Sequence, residues 1–119
     1  DKRDQITGRQ YSFLLNKAKD FVEKKYMEPE ISLNSVAEYI GLSPTYFSTV
    51  FKQEAGMNFI DYLTKTRINE AKRLLRSTDK RISDIAMEVG YRDQHYFSSA
   101  FKKYQGDTPK SYRENKNEE

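Results

Sequence analysis

At 119 residues the chain has room for one compact domain or two very small lobes, not for a large enzyme core. Charged residues make up 33% of it, yet nine Tyr and seven Phe supply enough burial per residue to argue against disorder. With no cysteine, neither a disulfide framework nor a thiolate zinc site can form, and a net charge of +3 leans toward acidic partners without naming one.

No apolar run approaches the roughly 20 residues of a membrane span, and "DKRDQITGRQ" has charge but no apolar stretch behind it to make a signal peptide. The expectation is a cytoplasmic protein with no membrane partner. Asp1 heads the chain without a methionine. The sequence therefore reads as a fragment or processed product, with room for an N-terminal partner domain.

The first periodic segment is "RQYSFLLNKAKDFVEKKY", where Tyr11, Leu14, Leu15, Ala18, Phe21 and Val22 recur at helical spacing and Pro29 follows in the linker. In "SLNSVAEYIG", Leu33, Val36, Ala37 and Ile40 mark one face of a short helix, with Ser32 as N-cap and Gly41 as stop. "SPTYFSTVFKQEAG" follows: Ser43 caps, Pro44 opens the first turn, Phe47, Val50 and Phe51 form the apolar face, and Gly56 ends it. A longer helix runs from Phe59 to Arg76, about 27 Å at 1.5 Å per residue, with Asn58 and Asp61 at its start. Its expected buried side is Phe59, Ile60, Leu63, Ile68, Ala71, Leu74 and Leu75.

The pattern then returns. Ile82, Ile85, Ala86, Val89 and Gly90 repeat the first short helix and its stop, and "DQHYFSSAFKKYQG" repeats the second, with Asp93 as cap and Gly106 as stop. "YFSTVFK" at 46–52 becomes "YFSSAFK" at 96–102, and one residue is inserted in the turn, where "GLS" becomes "GYRD". Thr108 and Pro109 open a short last helix. Each repeat is a short helix, a glycine turn and a longer helix, the layout of a helix-turn-helix unit. A solenoid is the competing reading, but arrays need three or more repeats and a long helix separates these two. The expected class is all-α, with about seven helices. The expected segments are a leader 1–9, a first helix-turn-helix subdomain 10–57, a linker helix 58–77, a second subdomain 78–113 and an acidic tail 114–119.

On the second helix of each repeat, Thr45, Ser48, Thr49 and Lys52 form a polar stripe opposite the phenylalanines. His95, Ser98, Ser99 and Lys102 form its counterpart, opposite an apolar stripe of Phe97, Ala100, Phe101 and Tyr104. Short side chains that donate and accept, with no carboxylate among them, suit close approach to a major groove. The bland alternative is a solvated face, or a helical interaction module that offers these stripes to a protein. The stretch Lys65–Arg81 carries seven cations against two anions. It reads as a solvated helix face or as a strip facing a phosphate backbone. His95 is the single histidine, which argues against a transition-metal site. No Gly-rich phosphate loop and no nucleophile–base spacing is present, so no enzyme and no cofactor is expected.

From Ile31 to Glu114 the chain resembles the AraC/XylS-type DNA-binding domain of bacterial transcription regulators, on "FIDYLTKTRINEAKRLL", "IAMEVGY", "YFSSAFKK" and "GDTPKSYR". "GMNFIDYLTKTRI", with the leading helix and the acidic tail, looks like the output domain of a two-component response regulator; sugar-responsive members with an N-terminal sensory domain are the alternative. The resemblance implies two helix-turn-helix subdomains joined by a linker helix, their second helices in successive major grooves on one DNA face. It implies double-stranded DNA and RNA polymerase as partners and a receiver or sensory domain ahead of this one. Base contacts carry over onto Thr45, Ser48 and Thr49 in the first unit and Gln94, His95, Ser98 and Ser99 in the second. Ser43, Lys52, Arg67, Arg92 and Lys102 are the expected phosphate contacts. Many members carry Arg where this chain has Thr49 and Ser99, and Arg makes the commonest bidentate contact to guanine. The target is therefore expected to favour A·T pairs. Selection from a random duplex pool should return an A·T-leaning consensus, and a G-rich consensus at both half-sites would refute the expectation.

Overall fold

The computed structural model describes residues 8–115, with side chains from Tyr11 onward; the expected leader and the last four residues of the expected acidic tail lie outside or at the edge of this range. Seven helices, α1 to α7, make up its regular structure: Gly8–Lys25, Leu33–Ile40, Pro44–Ala55, Phe59–Ser77, Ile82–Glu88, Gln94–Gln105 and Pro109–Glu114. The all-α class is as expected, and α4 ends at Ser77, one residue past the expected helical run Phe59–Arg76 and within the expected segment 58–77. The chain divides into two compact units. The first takes α1 and Ile31–Tyr62; the second takes the short segment Tyr26–Glu30 and everything described from Leu63 onward.

In the first unit, Ser32 caps α2 in a reciprocal box with Ser35, each side chain accepting from the other's backbone N–H. Gly41 ends α2 at φ +81°, a left-handed conformation that lets the Leu42 N–H reach back to the Ala37 carbonyl. Ser43 then caps α3 by accepting from the Tyr46 N–H, with Pro44 in the first turn. The core is Leu15, Ala18 and Val22 of α1, Val36, Ala37 and Ile40 of α2, and the fully buried Phe47 and Phe51 of α3. Phe59 closes it, with ring centroids 5.5 Å from Phe47 and 5.7 Å from Phe51.

The second unit is built on α4 from Leu63 onward. Ile68, Ala71, Leu74 and Leu75 pack with Ile85, Ala86 and Val89 of α5, Phe97 and Phe101 of α6, Tyr112 of α7, and Tyr91 in the turn. Arg113 fixes the last helix by donating to the Leu75 and Thr78 carbonyls. Ile60, expected on the buried side of α4, is 54% exposed. It is in register with the later stripe but lies a turn ahead of the second unit. In that turn Phe59 and Tyr62 face the first unit's aromatic cluster. Tyr104, expected on the apolar face of α6, is also exposed.

Gly90 has a different burden from Gly41. Its φ is +110°, and a Cβ there would lie 2.5 Å from the Tyr26 carbonyl oxygen and 2.8 Å from Arg67 Nε; a Cβ on Gly41 would meet nothing. Gly41→Ala should lose about 1–2 kcal/mol, the left-handed cost alone. Gly90→Ala should lose about 3 kcal/mol or more, because backbone must move as well. Urea unfolding followed by circular dichroism checks the order of the two.

Candidate nucleic-acid interface

The second helix of each unit is held by its buried face. In α3, Phe47, Val50 and Phe51 are buried, which turns Thr45, Thr49 and Lys52 into solvent and leaves Ser48 half-buried beside them. In α6, buried Phe97 and Phe101 do the same for His95, Ser99 and Lys102, with Ser98 half-buried and Gln94 exposed in the first turn. The structure thus gathers the expected base-contact residues onto one face of a helix in each unit. No carboxylate stands on either stripe. Asp93, the α6 cap, stands at the start of the second stripe, and its Oδ1 accepts from the His95 N–H at 2.8 Å.

The stripes differ in what they can donate. Thr49 Oγ1 gives its hydrogen to the Thr45 carbonyl at 3.1 Å. That side chain is left with an acceptor and a methyl group to show a partner. Ser99, at the matching position, makes no side-chain hydrogen bond among the described residues and can donate or accept.

The expected phosphate contacts separate into two groups. Lys52 and Lys102 are exposed at the far ends of their stripes. Arg92 is exposed and pairs loosely with Glu30 at 3.5 Å; an ion pair of this kind contributes little and exchanges readily. Ser43 is half-buried and its hydroxyl serves as the α3 cap.

Arg67 requires a correction. It is 9% exposed, and its Nε and Nη2 donate to the Tyr26 and Glu28 carbonyls at 2.8 and 3.0 Å. Its guanidinium lies 5.3 Å from the Tyr91 ring centroid. Burial pulls its pKa below the ordinary value, and the neighbouring Tyr91 phenol pulls it part of the way back. These donors bind the segment Tyr26–Glu30 into the second unit, and burial leaves the guanidinium little surface to offer a phosphate. Its spacing signals this: Arg67 lies four residues from both Leu63 and Ala71, on the buried stripe.

The basic stretch containing it is likewise no continuous strip. Arg76 lies 4.0 Å and Lys72 5.9 Å from the Tyr112 ring centroid. Arg73 pairs with Glu70, Lys80 with Glu88 and Arg81 with Asp84. Most of its cations are engaged inside the second unit, and Lys65 is exposed with no such partner among the described residues. Sequence reasoning also passed over Tyr96, which is 67% exposed beside the α6 stripe.

Among the described residues no group of His, Cys, Asp or Glu could hold a metal ion, and no helix is long and apolar enough to cross a membrane.

A family described as a helix-turn-helix domain matches residues 36–115. An AraC-type DNA-binding domain-containing transcriptional regulator from Chromobacterium violaceum superposes with a TM-score of 0.79 at 30% identity, over 87% of this chain and 92% of that one. This chain belongs to the AraC-type helix-turn-helix family. Within the family it is similar to the C-terminal domain of AraT, a response regulator from Geobacillus stearothermophilus. That likeness has 44% identity and a TM-score of 0.84, covering 86% of this chain and 84% of that one. It is also 34% identical over 106 residues, 89% of this chain, to the melibiose operon regulatory protein of Escherichia coli. The chain spans 35% of that regulator's length and 15% of another curated relative's.

Reassigning Arg67 has a measurable consequence in this AraC-type domain. Arg67→Gln should lower the stability of the second unit by about 2–4 kcal/mol, the loss of two charge-assisted bonds to buried carbonyls. Arg67→Lys should recover little, because one ammonium cannot match the fork. Urea midpoints check both, and a variant as stable as the parent would return Arg67 to the surface.

Proposed function

We propose that this chain is the sequence-specific DNA-binding domain of a bacterial transcription regulator, each unit giving its second helix to a major groove. The observation that carries the reading is the twice-built stripe: short polar side chains ending in a lysine, free of carboxylates, backed by two buried phenylalanines. Thr45, Ser48 and Thr49, and Gln94, His95, Ser98 and Ser99, are the proposed base contacts. Lys52, Lys102 and Arg92 are the proposed phosphate contacts, with the Ser43 region beside them. Two such helices in one chain ask for a composite target of two half-sites, and the successive grooves implied by the family resemblance are part of this proposal. The segmentation into two helix-turn-helix subdomains and a linker helix is its structural counterpart.

The likeness to a response regulator's C-terminal domain supports a receiver domain elsewhere in the same protein, whose signal would reach this domain as a change in its presentation to DNA. Work in the cytoplasm, contact with RNA polymerase and the absence of catalysis complete the proposal. The rival is a helical interaction module that offers the same stripes to a protein.

Duplexes recovered from a random-core library, titrated by fluorescence anisotropy at two salt concentrations, separate these readings. DNA binding should weaken steeply with salt, and Lys52→Ala with Lys102→Ala should lower the slope of log K against log salt by about 2, close to one released counterion per lysine. A wild-type protein that binds no duplex at low salt would favour the rival.

A further inference from the structure

The repeated string opens with a tyrosine in both copies, immediately before the first buried phenylalanine. The two tyrosines have different surroundings. Tyr46 is half-buried: its hydroxyl is 2.5 Å from the Tyr11 hydroxyl of α1, and the two rings are 6.5 Å apart. Tyr96 is 67% exposed, and its hydroxyl makes no hydrogen bond among the described residues. One edge of its ring is steadied by Tyr91, centroid 5.8 Å away, and Tyr91 is in turn covered by the Arg67 guanidinium. The second unit therefore holds an aromatic side chain in position, its phenol tip within electrostatic reach of Arg67 and Tyr91 but with no hydrogen bond of its own among the described residues.

Its place on α6 gives that tip a direction. Tyr96 follows His95 by one residue and precedes Ser99 by three, so it lies on the flank of the stripe and not at its centre. Lys103, seven residues on, continues that flank in solvent, and Arg92 lines the same shallow groove as Tyr96. A bulky ring at the centre of the stripe would hold the helix off the base edges. On the flank, beside Arg92 and also beside the Asp93 carboxylate that caps α6, a ring is placed for the wall of a DNA groove, where sugars offer apolar surface and phosphates offer acceptors.

We propose that Tyr96 is a backbone-gripping residue of the second unit: its ring packs on a deoxyribose and its hydroxyl donates to a phosphate oxygen of the strand flanking α6. The proposal rests on the DNA-binding reading given above. It also explains why the same letter is spared this role in the first unit, where the Tyr46 hydroxyl is already engaged with α1.

The test uses wild-type protein, Tyr96→Phe, Tyr96→Ala and Tyr46→Phe on duplexes recovered from a random-core library. Tyr96→Phe should keep the wild-type melting temperature and bind about tenfold more weakly, as expected for loss of one hydrogen bond to a charged acceptor. Its salt slope should be unchanged, because a phenol displaces no counterion. Tyr96→Ala should bind more weakly still. Tyr46→Phe should instead lower the melting temperature and leave DNA affinity unchanged. Single methylphosphonate substitutions across the second half-site identify the acceptor: at one phosphate the loss should be non-additive with Tyr96→Phe. Wild-type affinity in Tyr96→Phe, or additive losses at every phosphate, would overturn the proposal while leaving the DNA-binding reading intact. No duplex binding by the wild-type protein would overturn that reading itself, and this proposal with it.

Discussion

Phe47 and Phe51 in the first unit, and Phe97 and Phe101 in the second, are fully buried and four residues apart, so each pair occupies one face of its helix. Each ring is worth about 1.5–3 kcal/mol on burial. Turning α3 or α6 about its own axis by one residue, 100°, would pull both rings out of their cores and push polar side chains in. The rotation of each second helix is therefore set by its back. Everything proposed for the front follows from this constraint, because the stripe is the set of positions that burial of the phenylalanines leaves over. The caps act along the other coordinate: Ser43 and Asp93 fix where each helix begins, and the turns at Gly41 and Gly90 fix how the chain enters it.

The two units solve this shared requirement with unequal means. The first has α1 laid against its short helix, a reciprocal Ser32–Ser35 cap, and an open turn at Gly41. The second begins α5 at Arg81 without a side-chain cap bond and crowds its turn against the segment Tyr26–Glu30. That segment is held by Arg67, and the missing Cβ of Gly90 is what allows its Tyr26 carbonyl to come so near. Tyr91, buried in the same turn, has its phenol pKa raised chiefly by that burial, while the adjacent guanidinium opposes the rise. A glycine, an arginine and a tyrosine thus form one dependent set, and the inserted turn residue of the second repeat sits directly after it.

Much of this arrangement was legible from local chemistry. Caps and stops lie within a few residues of the helix ends they govern, so Ser32, Ser43, Asn58, Asp93 and Thr108 mark their termini in the sequence alone. Periodicity gave the buried faces for the same reason. What it missed depends on partners distant in sequence. The cations of Lys65–Arg81 look alike when counted, but rings and carbonyls contributed by Tyr26, Glu28, Tyr91 and Tyr112 take several of them inward. Arg67 could have been suspected from its place on the apolar stripe; Arg76 could not, since its aromatic partner lies in the last helix. Ile60 failed in the opposite sense: its register was right, but the core it matched begins one turn later.

The division of labour within the repeated string also bears on how such a domain can change its target. Core letters and the proposed contact letters alternate along one helix, yet they point to opposite sides, so a change at Thr49 or Ser99 need not disturb Phe47, Phe51, Phe97 or Phe101. The differences between the copies fall where this separation permits them. Thr49 commits its hydrogen to the Thr45 carbonyl, whereas Ser99 keeps its own. Thr45 faces outward in one copy and His95 in the other, a hydroxyl against an imidazole. Surfaces that differ in donors, acceptors and methyl groups cannot favour the same base edges equally. Two units that share a core need not share a half-site, and an asymmetric target is the physical expectation for a chain whose repeat is conserved between its copies on the inside and varied on the outside.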